Sequence, residues 1–213
     1  MPELRRAHGA PRASCIAALG LAVCLFSFSA EAHTALQGVG SFWSGVAHQL
    51  TSLDQLGFLL GLAIWTSFYD RRLDARVIAT AFAAGLVGVW FGAYVDAAGW
   101  LNLATATAAL MAMVGLAGAA RLRLGIVPPL GLALIGGLVG GAAAAEAAGR
   151  LSVAIFSLGG SIATASILSY GLLAARRLPA DWGSIARRAG ASWIAAIGLM
   201  VLALSLAGHS GRG

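Results

Sequence analysis

"LDQLGFLLGLAIWTSFYDRRLDARVIATAFAAGLVGVW", residues 53–90, holds two apolar runs on either side of the charged stretch "DRRLDAR" (70–76). A helix rises about 1.5 Å per residue, so about 20 apolar residues cross a hydrocarbon layer about 30 Å thick. The first run (53–69) comes close to that length, and the second continues to 95 and reaches it. Neither alternates apolar with polar residues, which argues against the strands of a membrane barrel. A short arginine-bearing turn between two such runs reads as a helical hairpin through a bilayer.

The same pattern continues to the C-terminus. Further apolar runs cover 100–120, 124–145, 151–175 and 190–208. The expected fold class is all-α: a polytopic helical membrane protein with six transmembrane helices after a cleaved N-terminal signal peptide. The expected organisation is a signal peptide (1–32), a periplasmic or re-entrant segment (33–52), a six-helix domain (53–208) and a short periplasmic tail (209–213).

Composition agrees. Of the 213 residues, 59% are hydrophobic and 10% charged, with mean hydropathy +0.85. A soluble domain averages about 25% charged residues and needs them to cover its surface. The net charge of +6 would suggest nucleic acid in a soluble protein, but here the arginines stand in short clusters between apolar runs. That placement is a topology signal, and no nucleic-acid partner is expected. All fourteen basic residues are arginine and none is lysine, a compositional bias to which we attach no function.

Arg5, Arg6 and Arg12 precede the apolar "CIAALGLAVCLFSFS" (15–29), and "AEA" (30–32) places small residues at the −3 and −1 positions of a cleavage site. This is the layout of a secretory signal. The competing reading is an uncleaved first helix, for which the run is short. Both cysteines, Cys15 and Cys24, fall in this segment, so the mature chain would have neither a disulfide nor a thiolate metal site.

The loops 70–76, 96–99, 121–123, 146–150 and 176–188 carry three, no, two, one and four arginines in turn. By the positive-inside rule the first, third and fifth are cytoplasmic. The mature N-terminus and the C-terminus are then periplasmic, in the inner (cytoplasmic) membrane of a bacterium. Glycines four apart, Gly57/Gly61 and Gly88/Gly92, with Gly136-Gly137 and Gly140-Gly141, read as close helix packing. Pro128-Pro129 implies a kink or a late start to the fourth span. The acids near loop arginines, and those of 181–188, read as solvated loop charge.

Ionisable residues at the membrane are the default functional candidates. Asp54 sits where the first span begins, and Glu146 at the outer end of the fourth. His33 would open the mature chain, where its α-amino group and imidazole together offer two nitrogens suited to nickel, copper or zinc. "GVGSFWSGVAHQL" (38–50) is too short to span and mildly amphipathic, which suits a re-entrant or interfacial helix. In helical register His48, Ser52 and Gln55 share a face, with Asp54 beside them. The plainer alternative is a histidine reaching the interface and an aspartate capping a helix.

The text "AHTALQGVGSFWSGVAHQLTSLDQLGFLLGLAIW" (32–65) resembles the HupE/UreJ family of membrane proteins. Those proteins have a signal sequence, about six spans, a mature N-terminus opening on histidine and a motif H-P-L-x-G-x-D-H at the first span. His48, Leu50 and Asp54 match that motif, whereas Gln49, Ser52 and Gln55 stand where the family has proline, glycine and histidine. A fainter likeness lies in "SLGGSIATASILSYG" (157–171). The family's histidine-rich outer segment corresponds here to "GGAAAAEAAG" (140–149), in which only Glu146 is a ligand type.

The resemblance implies a secondary permease, and no enzyme, admitting a divalent transition metal, nickel or cobalt, from the periplasm. Its metal residues would be His33, His48, Asp54, Gln55 and Glu146, with no permanently bound cofactor. Expected partners are the lipid bilayer, the transported Ni2+ or Co2+, and maturation proteins of a metalloenzyme such as a hydrogenase or urease. The absence of a nucleotide-binding loop excludes an ATP-driven pump acting alone. No catalytic residues are expected, since no serine–histidine or paired-carboxylate arrangement falls inside the spans. The alternative is an accessory scaffold that kept the helices and lost the ligands.

Overall fold

The computed structural model describes residues 40–95, 102–148 and 151–210. Among them are seven helices: α1 (Ser41–Thr51), α2 (Leu53–Thr66), α3 (Arg72–Val95), α4 (Leu103–Ala119), α5 (Val127–Ala148), α6 (Val153–Arg177) and α7 (Ala180–Ser210). The described residues contain no strand, and the chain is a polytopic helical membrane protein, as the apolar runs indicate. Four helices are long and apolar enough to cross a membrane, while α2 and α4 are shorter apolar helices. The signal segment and His33 lie outside the described residues.

Helix ends differ from the sequence expectation where local capping decides them. The stretch 70–76 is mostly helix, because the Asp70 carboxylate accepts from the Arg72 backbone N–H at 2.8 Å and starts α3 early. Between α6 and α7 only Leu178 and Pro179 interrupt the helix, so the expected loop 176–188 is mostly helical too. Pro179 holds Leu178 extended (φ −60°, ψ 137°) and forces the break. Pro128 and Pro129 sit in the first turn of α5, where a missing N–H costs nothing, so the start is late and needs no kink. After α4 the chain reverses through Arg121 (φ 52°), with Leu122 N–H bonded to Ala117 O at 2.9 Å.

Helix α2 is the hub. Nine of its fourteen residues are buried, among them Leu62, Ala63 and Trp65, and it packs against α4, α6 and α7. Lipid tails are as apolar as these side chains, so close packing and buried hydrogen bonds, rather than water exclusion, must hold the helices together. The Trp65 indole donates to Leu122 O at 2.8 Å, and Tyr69 Oη donates to the same oxygen at 3.0 Å. Outward faces remain apolar, with Val87, Trp90, Phe91, Leu134, Ile135, Leu173 and Trp193 exposed, as contact with lipid requires.

Two seams depend on the absence of a Cβ. Along α3 and α5 a Cβ at Gly88 would lie 2.5 Å from Leu138 O, and one at Gly141 2.6 Å from Gly85 O. Where α1 meets α6 the approach is closer still. A Cβ at Gly45 would lie 2.1 Å from Phe156 O, and one at Gly159 2.1 Å from Phe42 O. These reciprocal glycines seat the eleven-residue α1 against α6. The short amphipathic stretch is therefore a packed helix of the bundle.

Candidate functional site

One residue, Ser52, separates α1 from α2. It is extended (φ −76°, ψ 93°) and ends one helix while opening the next. Its hydroxyl donates to His48 O at 2.8 Å, and Thr51 Oγ1 donates to Ala47 O at 2.9 Å. Such side-chain bonds compete with the helical ladder and favour a break here. Ser52 Oγ also stands 3.4 Å from His48 Nε2. The imidazole is half-buried, its ring 6.1 Å from that of Phe156 on α6.

On the far side of the break Gln55 is 4% exposed. Its Nε2 donates to Gly140 O of α5 at 3.2 Å, while its Oε1 has no hydrogen-bond partner among the described residues. A buried carbonyl without a partner costs about 1–3 kcal/mol, so a donor or a cation beside it would be stabilised.

Beside Gln55 lies a cavity of about 30 Å³. That is room for one or two waters or a small ion, and too little for an organic substrate. Its polar lining comes from His48, Gln49, Gln55, Thr107, Ser157, Ser161 and Thr164. Gly136, Gly137, Gly140 and Gly141 complete one wall. The lining belongs to one half of the bundle, the half holding the starts of α2, α4 and α6 and the ends of α3 and α5.

The sequence-expected residues divide around this cavity. His48 and Gln55 both line it. Asp54, half-exposed in the first turn of α2, does not; it stands where a helix dipole favours an anion. Glu146, exposed near the end of α5, does not line it either. Among the described residues no three His, Cys, Asp or Glu side chains come together as a metal cluster.

Sequence reasoning missed the hydroxyls. Ser157, Ser161 and Thr164 lie at i, i+4 and i+7 on α6, one polar stripe in an apolar helix, and each is at most 7% exposed. That spacing is readable in the sequence 157–171. Gln49 and Thr107 offered no comparable pattern.

The opposite end of the bundle is held by arginine. Arg176 of α6 makes a two-point ion pair with Asp74 of α3, Nε to Oδ2 at 2.8 Å and Nη2 to Oδ1 at 2.5 Å. The same guanidinium donates to Ser67 O and Tyr69 O, each at 3.2 Å, just beyond the C-terminus of α2. Arg187 donates to Ser67 O at 3.3 Å and lies 4.6 Å over the Phe68 ring, with Arg121 5.4 Å from that ring. Arg188 donates to Ala119 O at the end of α4 at 3.0 Å. Of the acids read as solvated loop charge, Asp74 is instead part-buried in its pair with Arg176. The arginines satisfy carbonyls that helices leave open at their C-termini.

Compared with known families, the chain matches the model described as HupE / UreJ protein over residues 21–201. No curated protein and no solved structure matches it.

Proposed function

The chain belongs to the HupE/UreJ family, and on that premise we propose that it is a secondary permease of the bacterial inner membrane, carrying a divalent transition metal, nickel or cobalt, inward from the periplasm. The observation that carries this reading is the small cavity that both His48 and Gln55 line. An imidazole nitrogen and an amide oxygen are both ligands such ions accept. The cavity's size restricts passage to an ion with little of its water.

In this reading the half of the bundle holding the cavity faces the periplasm and the arginine end faces the cytoplasm. His33, at the start of the mature chain, and Glu146 act in capture outside the cavity. Asp54 supplies negative charge at its approach, raising the local concentration of cations. His48 and Gln55 contact the ion in passage. A metalloenzyme maturation system on the cytoplasmic side is the expected recipient, and no enzymatic step is assigned to the chain.

One observation favours a second reading, an accessory membrane scaffold. The described residues gather no three of the ligand types His, Cys, Asp and Glu. Metal accumulation in cells separates the two. Cells producing the wild-type protein should accumulate nickel or cobalt above empty cells, and His48→Ala should abolish the gain. No gain with any of nickel, cobalt and zinc leaves the scaffold.

A further inference from the structure

We infer that Gln55, Thr107 and Ser157 form an oxygen-only cation subsite beside His48, and that Gln55 makes this subsite weakly selective among divalent ions. The inference deepens the permease reading and takes the class of ion from it.

A hydroxyl has one hydrogen and two lone pairs. Thr107 Oγ1 donates its hydrogen to Leu103 O at 2.8 Å, and Ser157 Oγ donates to Ala154 O at 3.0 Å. The Gln55 amide donates to Gly140 O, leaving Oε1 without a hydrogen-bond partner among the described residues. Helix carbonyls thus take up both hydroxyl protons, and the oxygens of Gln55, Thr107 and Ser157 keep lone pairs free of those bonds. All three are more than nine-tenths buried: Gln55 is 4%, Thr107 2% and Ser157 2% exposed.

Such a lining repels an anion and suits a cation or the hydrogens of its water. No carboxylate lines the cavity, so binding is weak, and a conducting site must release what it captures. Carbonyl and hydroxyl oxygens suit manganese and other hard ions, whereas imidazole favours nickel. With one imidazole and three neutral oxygens, the usual advantage of nickel over manganese should shrink.

Equilibrium dialysis of Ni2+ and Mn2+ against the purified full chain in lipid nanodiscs tests this. Wild-type affinities for the two ions are expected within about tenfold of each other. Gln55→His, which replaces an oxygen by a ring nitrogen, should raise the nickel-to-manganese ratio by about tenfold or more. Thr107→Val and Ser157→Ala should each weaken binding of both ions several-fold, and Thr107→Ser, which keeps the oxygen, should not.

A wild-type preference for Ni2+ beyond about a hundredfold overturns the inference. So does an unchanged ratio in Gln55→His, undiminished binding in both hydroxyl deletions, or loss of binding in Thr107→Ser. Oxygen-dependent binding without accumulation in cells defeats the permease reading and leaves the subsite standing. Accumulation of nickel indifferent to all three oxygens does the reverse.

Discussion

His48 Nε2 lies 3.4 Å from Ser52 Oγ, one helical turn along the chain and at the break between α1 and α2. The contact ties the imidazole to the residue that ends its own helix and starts the next. Gln55 follows within one turn, so a single break places a nitrogen and an amide oxygen at one cavity.

If the break positions the imidazole, Ser52→Ala should weaken metal binding without unfolding the bundle. The variant loses two hydroxyl contacts, the bond to His48 O included. A stability loss of about 1 kcal/mol or less is expected. Thermal unfolding in detergent and equilibrium dialysis of Ni2+ check the two halves of the statement.

Asp54 should behave unlike His48. It sits outside the cavity, so Asp54→Asn should slow metal uptake only a few-fold at low salt. The difference from wild type should fade as ionic strength rises past about 0.15 M, where the screening length falls to about 8 Å. Uptake rates measured across a salt series decide it. A loss as large as that of His48→Ala at every salt concentration would place Asp54 in direct contact with the ion.

The Asp74–Arg176 pair closes the arginine end while capping α2. Arg176→Ala leaves a part-buried carboxylate and Tyr69 O without their donor, while Ser67 O keeps that of Arg187, at a cost of about 3 kcal/mol. Arg176→Lys should cost less but still destabilise, since an ammonium cannot span both carboxylate oxygens and the carbonyls. Chemical denaturation, with Asp74→Asn completing a double-mutant cycle, measures the coupling.

Gly45 and Gly131 are helix glycines with contrasting surroundings. Gly45→Ala drives a Cβ into Phe156 O and should lever α1 from α6, costing about 1–3 kcal/mol and exposing α1 to protease. Gly131→Ala meets nothing within 4 Å and should be neutral or stabilise by up to about 1 kcal/mol. Limited proteolysis and melting temperatures distinguish them.

Orientation is checked by labelling. In a background with Cys15 and Cys24 replaced by serine, Glu146→Cys should react with an impermeant maleimide in intact spheroplasts. Arg123→Cys should react only after the membrane is opened. The reverse pattern inverts the topology.

The legible part of the fold was that set by local chemistry. Within lipid every backbone group must bond inside its own helix, so run length and composition along 53–90 already implied two helices and a turn. Helix ends were less legible, because the Asp70 cap and the Leu178–Pro179 break act over two or three residues within a charged stretch. For the site, the residue types along 48–55 were legible, but which of them line the cavity was not. His48 and Gln55 reach the cavity, and Asp54, between them in sequence, does not. Adjacent residues on a helix point about 100° apart, and Ser52 resets that phase between His48 and Gln55.

The sequence by itself determined the membrane class, the helical hairpins and the family, because each follows from residues near one another in the chain. Tertiary structure alone decided which polar groups meet. Thr107 and Ser157 line the same cavity as Gln55 from helices about 50 and 100 residues away in sequence, and Arg176 reaches Ser67 across a comparable gap. No local pattern specifies those meetings. They depend on how closely glycine-lined helices approach and on which side chains their packing turns inward.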